Sequence, residues 1–106
     1  MANYQVKFTK RMDRHLKTLR ERFGLADAQA SEVLDELFFL EELFEQGHKI
    51  PDAYLQHELV LEPWSGFLEL HVLDDVLLVH IVDDKRGMVR FIGLYTHEML
   101  STGQLD

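Results

Sequence analysis

The apolar positions of this chain change period twice, from alternation to helical spacing and back, and each change marks a new kind of element. Tyr4, Val6 and Phe8 alternate with Gln5 and Lys7, so this stretch is expected as a short strand. Met12, Leu16, Leu19 and Phe23 then recur every three or four residues, as on one stripe of a helix ending near Arg22. Thr9 is placed to cap that helix, because its hydroxyl can accept from an unpaired amide of the first turn. Gly24 is placed to end it, since glycine enters the left-handed conformation beyond a helix C-terminus at little cost. A second helix is expected from Asp27 to Gly47. Ala30, Val33, Leu34, Leu37, Phe38, Leu40 and Phe44 make its apolar stripe, and Glu32, Asp35, Glu36 and Glu42 point away. The connection is short, so the two helices should form an antiparallel hairpin.

From Lys49 the period shortens. Pro51 opens an irregular segment carrying Tyr54 and His57, and Pro63-Trp64-Ser65-Gly66 reads as a turn. Strands are expected over Phe67–Leu73, Val76–Val82 and Met88–Leu94. They are joined at Asp74-Asp75 and at Asp83–Gly87, which gives an antiparallel meander. That register puts Glu69 opposite His80, His71 opposite Leu78, and His80 within one position of Arg90. Glu69, His71, His80 and Arg90 then share one face. Leu68, Leu70, Val72, Leu77, Val79 and Ile81 form the other, packed on the helices. The expected fold class is α+β, a single domain over residues 1–106, with a short strand and helical hairpin on a twisted antiparallel sheet.

Composition narrows the class. At 106 residues, 46% hydrophobic and 28% charged, the chain suits one globular core. It has no cysteine, which excludes disulfides and thiolate metal sites. Phe67–Val82 is its longest apolar stretch, and Glu69, His71, Asp74, Asp75 and His80 interrupt it, so no membrane span is expected. The N-terminus lacks the apolar run of a signal peptide, and a cytoplasmic location is expected. The net charge of −8 is unevenly spread. Tyr4–Arg22 sets seven basic residues against Asp13 and Glu21, whereas Asp27–Gln46 holds seven acidic residues and no basic one. A nucleic acid could be met only by the first segment. Lys10, Arg11, Arg14 and Lys17, with Arg90 of the last strand, are the candidate contacts. The plain alternative is a solvated helix face.

His57, His71, Asp75 and His97 are the candidate chemistry. Imidazole titrates near neutral pH, so three of them beside a carboxylate suit proton transfer. The same residue types bind metals, although the chain has no tight helical His-x-x-x-His pair. Taken singly, each histidine is most simply a sheet-surface residue. His15 and His48 are read that way, and His80 stays open. Trp64 and Tyr54 offer faces on which a base could stack. For Trp64 the preferred role is a packing anchor.

The run Ile50-Pro51-x-x-Tyr54-x-x-His57-x-Leu59, then Trp64-x-Gly66-Phe67-x-x-x-His71-Val72-x-x-Asp75, then Thr96-His97, resembles the YafQ branch of the RelE-like toxins. The resemblance is best over Ile50–Met99. It implies the RelE-like microbial ribonuclease fold. It implies the toxin of a bacterial type II toxin–antitoxin system, a ribosome-dependent endoribonuclease that cuts mRNA without a metal or other cofactor. The residues matching its catalytic positions are His57, His71, Asp75 and His97. His71 and Asp75 are expected near the attacking 2′-hydroxyl, His97 toward the leaving group, and His57 in a positioning or proton-transfer role. The implied partners are the 70S ribosome with its mRNA and a cognate antitoxin of the DinJ type, which binds operator DNA in the complex. The chain departs from the family at Leu68 and Gly93, where relatives commonly carry arginine. Val76 and Ser101 stand where aromatics are common. Each lost guanidinium removes a donor worth roughly 2–4 kcal/mol to a charged transition state. The alternative reading is therefore an attenuated or inactive protein of this fold that acts only by binding its antitoxin or another protein.

Overall fold

A computed structural model describes residues 3–60 and 62–106. Met1, Ala2 and Leu61 lie outside the described residues, and with the first two the start of the N-terminus expected to carry no signal peptide. The strand β1 (Gln5–Phe8) leads into α1 (Lys10–Lys17) and α2 (Leu19–Phe23), followed by the long α3 (Asp27–Glu45). A single 3-10 turn over Asp52–Tyr54 precedes β2 (His57–Glu58), β3 (Leu68–Leu73), β4 (Val76–Asp83), β5 (Met88–Tyr95) and α4 (His97–Ser101). The sheet order is β1-β5-β4-β3-β2. Strands β2 to β5 are antiparallel neighbours, and β1 joins the β5 edge in parallel.

The expected caps are present. The Thr9 hydroxyl accepts from the Met12 amide at 3.1 Å, and Gly24 takes the left-handed conformation at φ 65°. The first helix is nonetheless broken at Thr18, whose hydroxyl donates to the Arg14 carbonyl at 3.2 Å and competes with the helical ladder. α1 packs on β5 and α3 on β1 and β3, and they meet through the short α2. On α3 the buried residues are Ala30, Val33, Leu37, Leu40 and Phe44, spaced at three and four, while Phe38 is 58% exposed.

Register departs from expectation by one residue. Leu73 pairs with Val76 around Asp74-Asp75 as expected, but a bulge at Val72 then sets His71 opposite Leu77, Glu69 opposite Val79 and Leu68 opposite His80. Side chains alternate faces, so a one-residue slip exchanges the two sides. Leu70, Val72, Val76, Leu78, Val89, Phe91 and Leu94 pack on the helices. Leu77 and Val79, expected there too, lie on the opposite face in a second small core with Trp64, Tyr95 and Leu100. β4 is thus apolar on both sides.

The free half of the β5 edge is sealed by side chains rather than by a strand. The Thr9 hydroxyl donates to the Ile92 carbonyl at 2.8 Å, the Leu94 amide donates to His15 Nδ1 at 3.0 Å, and Arg22 Nε donates to the Leu94 carbonyl at 3.0 Å. Buried backbone groups need such partners.

Candidate acid–base site

The site lies on the β3 and β2 side of the sheet, where α4 begins. Thr96 caps α4 by accepting from the Met99 amide at 3.1 Å, and this fixes His97 as the first helical residue. His97 reaches back to the β3–β4 turn. Its backbone N–H donates to Asp75 Oδ1 at 2.9 Å, and its Nδ1 lies 2.6 Å from the same oxygen. A carboxylate only accepts, so Nδ1 carries the proton and Nε2 is left to face outward. The backbone N–H of His97 is the largest cause holding the Asp75 carboxyl below the usual carboxylate range. The His97 and His71 imidazoles add to it, and partial burial opposes it. The His71 ring, projecting from β3, stands 5.2 Å from that of His97. The three residues expected together are together.

His57 joins through a strand that sequence reasoning placed in an irregular segment. β2 pairs His57 with Glu69 of β3, and His57 Nε2 sits 2.8 Å from Glu69 Oε1. Glu69 is the residue the site reading missed. It is only 4% exposed, and it shares the face of His71 two residues along the strand. The signal was available: an acidic side chain in an otherwise apolar strand, in phase with His71. Glu69, His71 and His97 each offer a donor atom within 4.8 Å of the others. They would suit a divalent ion bound by two imidazoles and a carboxylate, with Asp75 orienting His97 from behind.

The remaining histidines stand apart. His80 projects to the helix face, fully buried against Phe44 and Phe91, with Nε2 3.0 Å from Gln56 Oε1. The bulge puts it on the opposite side from Glu69 and His71. Burial lowers its pKa to about 4. His15 is also buried and lowered to about 4, first by burial and then by the Arg22, Arg11 and Arg14 guanidiniums.

The profile of the bacterial YafQ toxins of type II toxin–antitoxin systems matches residues 4–102. The chain belongs to this family. No curated protein sequence matches it. Among solved structures it is similar to YafQ of E. coli, with 21% identity, a TM-score of 0.69, and 92% of this chain and 98% of that one covered. It is similar to the E. coli DinJ–YafQ complex at 22% identity and TM-score 0.67, covering 92% and 98%. A metal-bound toxin of Helicobacter pylori matches at 22% identity and TM-score 0.68, covering 94% of this chain and 99% of that one. At these identities the likeness carries the fold.

In this toxin the expected RNA contacts fall in two places. Lys10, Arg11 and Arg14 border an open groove of about 450 Å³ together with Trp64, Phe67 and Ile92. Arg11 and Arg14 converge there on Asp106, at 3.6 and 3.0 Å. Lys17 lies beyond that groove on the exposed face of α1. Arg90 is exposed toward the other end of the sheet, beside Lys85, Arg86, Asp83 and Asp84. No helix is long and apolar enough to cross a membrane among the described residues.

Proposed function

We propose that this toxin is a ribosome-dependent endoribonuclease that cleaves mRNA by its own 2′-hydroxyl. One observation carries the reading: His97, held by Asp75 through Nδ1, presents Nε2 outward beside the His71 ring. In the proposed reaction a basic group takes the 2′-hydroxyl proton, the oxygen attacks the adjacent phosphorus, and an acidic group protonates the departing 5′-oxygen. The products are a 2′,3′-cyclic phosphate and a 5′-hydroxyl. His71 and Asp75 are assigned to the 2′-hydroxyl side, His97 in its doubly protonated form, with the Nε2 proton to give, to the leaving oxygen, and His57 to positioning or proton transfer. Lys10, Arg11, Arg14, Lys17 and Arg90 are assigned to RNA phosphates. The proposed setting is the bacterial cytoplasm, on the 70S ribosome. The proposed partner is an antitoxin comparable to DinJ, by likeness to the DinJ–YafQ complex, with operator DNA bound through that antitoxin.

A second reading rests on the Glu69, His71 and His97 donors and on the metal-bound state of the H. pylori relative. Here the three residues hold a divalent ion. Elemental analysis of protein purified without chelator separates the readings, since one equivalent of zinc, copper or nickel supports the ion.

The test of the nuclease is induced expression in bacteria with mapping of mRNA ends, wild type beside His97→Ala. Growth arrest with cuts in translated codons, both lost in the variant, is the expected result. Soluble, folded wild-type protein that neither arrests growth nor cuts would leave a toxin fold acting through antitoxin binding alone.

A further inference from the structure

His80 lies fully buried on the helix side of the sheet, where a ring nitrogen needs a hydrogen-bond partner. Its Nε2 finds one in Gln56, donating to Oε1 at 3.0 Å. Gln56 immediately precedes His57. Its side chain turns to the helix side, whereas the His57 ring turns to the opposite side and lies 2.8 Å from Glu69 Oε1. The chain bends unfavourably as it enters this pair. Leu55 follows the 3-10 turn at φ 53°, in the left-handed region that a side chain disfavours. Its side chain is 60% exposed, so packing does not compensate. Hydrogen bonds on either side do. Before the bend the Tyr54 hydroxyl donates to Glu36 of α3, and after it Gln56 accepts from His80 of β4. The same bend brings the Leu55 carbonyl to 3.2 Å from His57 Nδ1. β2 is only two residues long, so its own ladder holds His57 weakly.

We infer that His80 is a positioning residue: through Gln56 it holds the Leu55 bend and so sets the His57 ring against Glu69. The link crosses the sheet, from the helix-side core to the acid–base cluster. His80 itself stays on the side away from Glu69 and His71, and it acts by geometry rather than by moving a proton. The inference rests on the nuclease reading for the part His57 plays in cleavage, whereas the placement of the ring does not.

Two substitutions at His80 separate the hydrogen bond from the packing. His80→Leu keeps an apolar side chain in the core and removes the donor, whereas His80→Gln places an amide N–H where Nε2 stood. Gln56→Met removes the acceptor from the other partner at nearly the same length. The first readout is amide hydrogen exchange of Leu59, whose N–H donates to the Phe67 carbonyl at 2.7 Å just beyond β2. Exchange there is expected to quicken about tenfold in His80→Leu and Gln56→Met and to return in His80→Gln, while the β4–β5 ladder keeps its protection. The second readout is the rate of mRNA cleavage on ribosomes, expected to fall about tenfold in the same two variants and to recover in His80→Gln. Introduced into His57→Ala, His80→Leu should cost nothing further, because its route is through His57. Unchanged Leu59 exchange in His80→Leu and Gln56→Met overturns the inference. So does a rate loss of equal size with and without His57, which would mark a general loosening of the fold. Exchange is read without RNA, so a failed nuclease test leaves the placement of His57 decided by exchange alone. Unchanged exchange in turn leaves the nuclease reading intact.

Discussion

At the scale of single residues, the site is defined by which atoms are already committed. Asp75 spends one oxygen on both the backbone and the side chain of His97, so the ring has one orientation and one tautomer. Glu69 is committed to His57, and it is the most deeply buried member of the group. A buried carboxylate 2.8 Å from His57 and in phase with His71 is placed to hold the rings of the group in position. Glu69→Gln keeps the shape and a hydrogen bond while removing the charge. It is expected to slow RNA cleavage on the order of tenfold to a hundredfold with an altered pH profile. The melting temperature should stay within a few degrees of wild type. An unchanged rate and profile would reduce Glu69 to a packing residue. The phase of Glu69 with His71 was legible from the sequence, but its pairing with His57 was not. β2 is two residues long, with no periodicity to announce it, and it exists only because β3 lies beside it.

At the scale of elements, the β5 edge explains one departure from the family pattern. Gly93 stands where relatives commonly carry an arginine, and the space beside it is taken. A Cβ there would sit 2.9 Å from His15 Cε1 and Nδ1 and 2.9 Å from the Tyr95 ring. His15 fills that volume because it must reach the Leu94 amide, and Tyr95 packs edge-on against it at 5.3 Å between ring centres. Gly93→Ala is therefore expected to destabilise the fold by about 1–3 kcal/mol, the usual cost of overpacking a closed site. Chemical denaturation checks this, and a neutral result would mean that α1 slides away easily. α1 is thus a structural seal on the sheet edge as well as a carrier of positive charge. Its solvated Lys10 and Arg14 and its buried Met12 were separable from spacing alone, whereas His15, expected at the surface, is buried. The use of His15 was not legible, because an amide left free by a missing strand is a property of the sheet.

At the scale of the whole molecule, two buried neutral histidines make stability depend on pH. His15 and His80 both have folded pKa values near 4, below the ordinary value of 6.5. The unfolded chain therefore binds more protons than the native one over this range. Stability is fully present above about pH 6.5 and is lost as pH falls toward 4. Each group contributes a slope of at most roughly 1.4 kcal/mol per pH unit. Denaturant midpoints are expected to fall steeply between pH 6.5 and 4.5. His80→Leu should remove part of that slope, since the ring is enclosed by Phe44 and Phe91 and leucine needs no proton. Identical pH dependence in wild type and variant would show that His80 titrates normally. Asp75 titrates lower than either histidine's ordinary range, so activity changes between pH 5 and 8 would report imidazoles rather than this carboxylate.

The sequence by itself determined the elements: the strand before Thr9, the helix over Asp27–Glu45, the three long strands and the turns between them all follow from apolar period and from capping or turn residues. It also brought out His57, His71, Asp75 and His97 as candidates, from residue type and from the family resemblance. Only the tertiary structure decided which side of the sheet each strand residue faces. Val76 to Val79 are apolar without interruption, so β4 carries no alternation to mark an inside. The bulge at Val72 then chose the register. That extra residue put His80 on the helix side, away from Glu69 and His71, while the β2–β3 pairing set Glu69 beside His57, and a shift of this kind is fixed by packing on both faces rather than by any local preference of the chain.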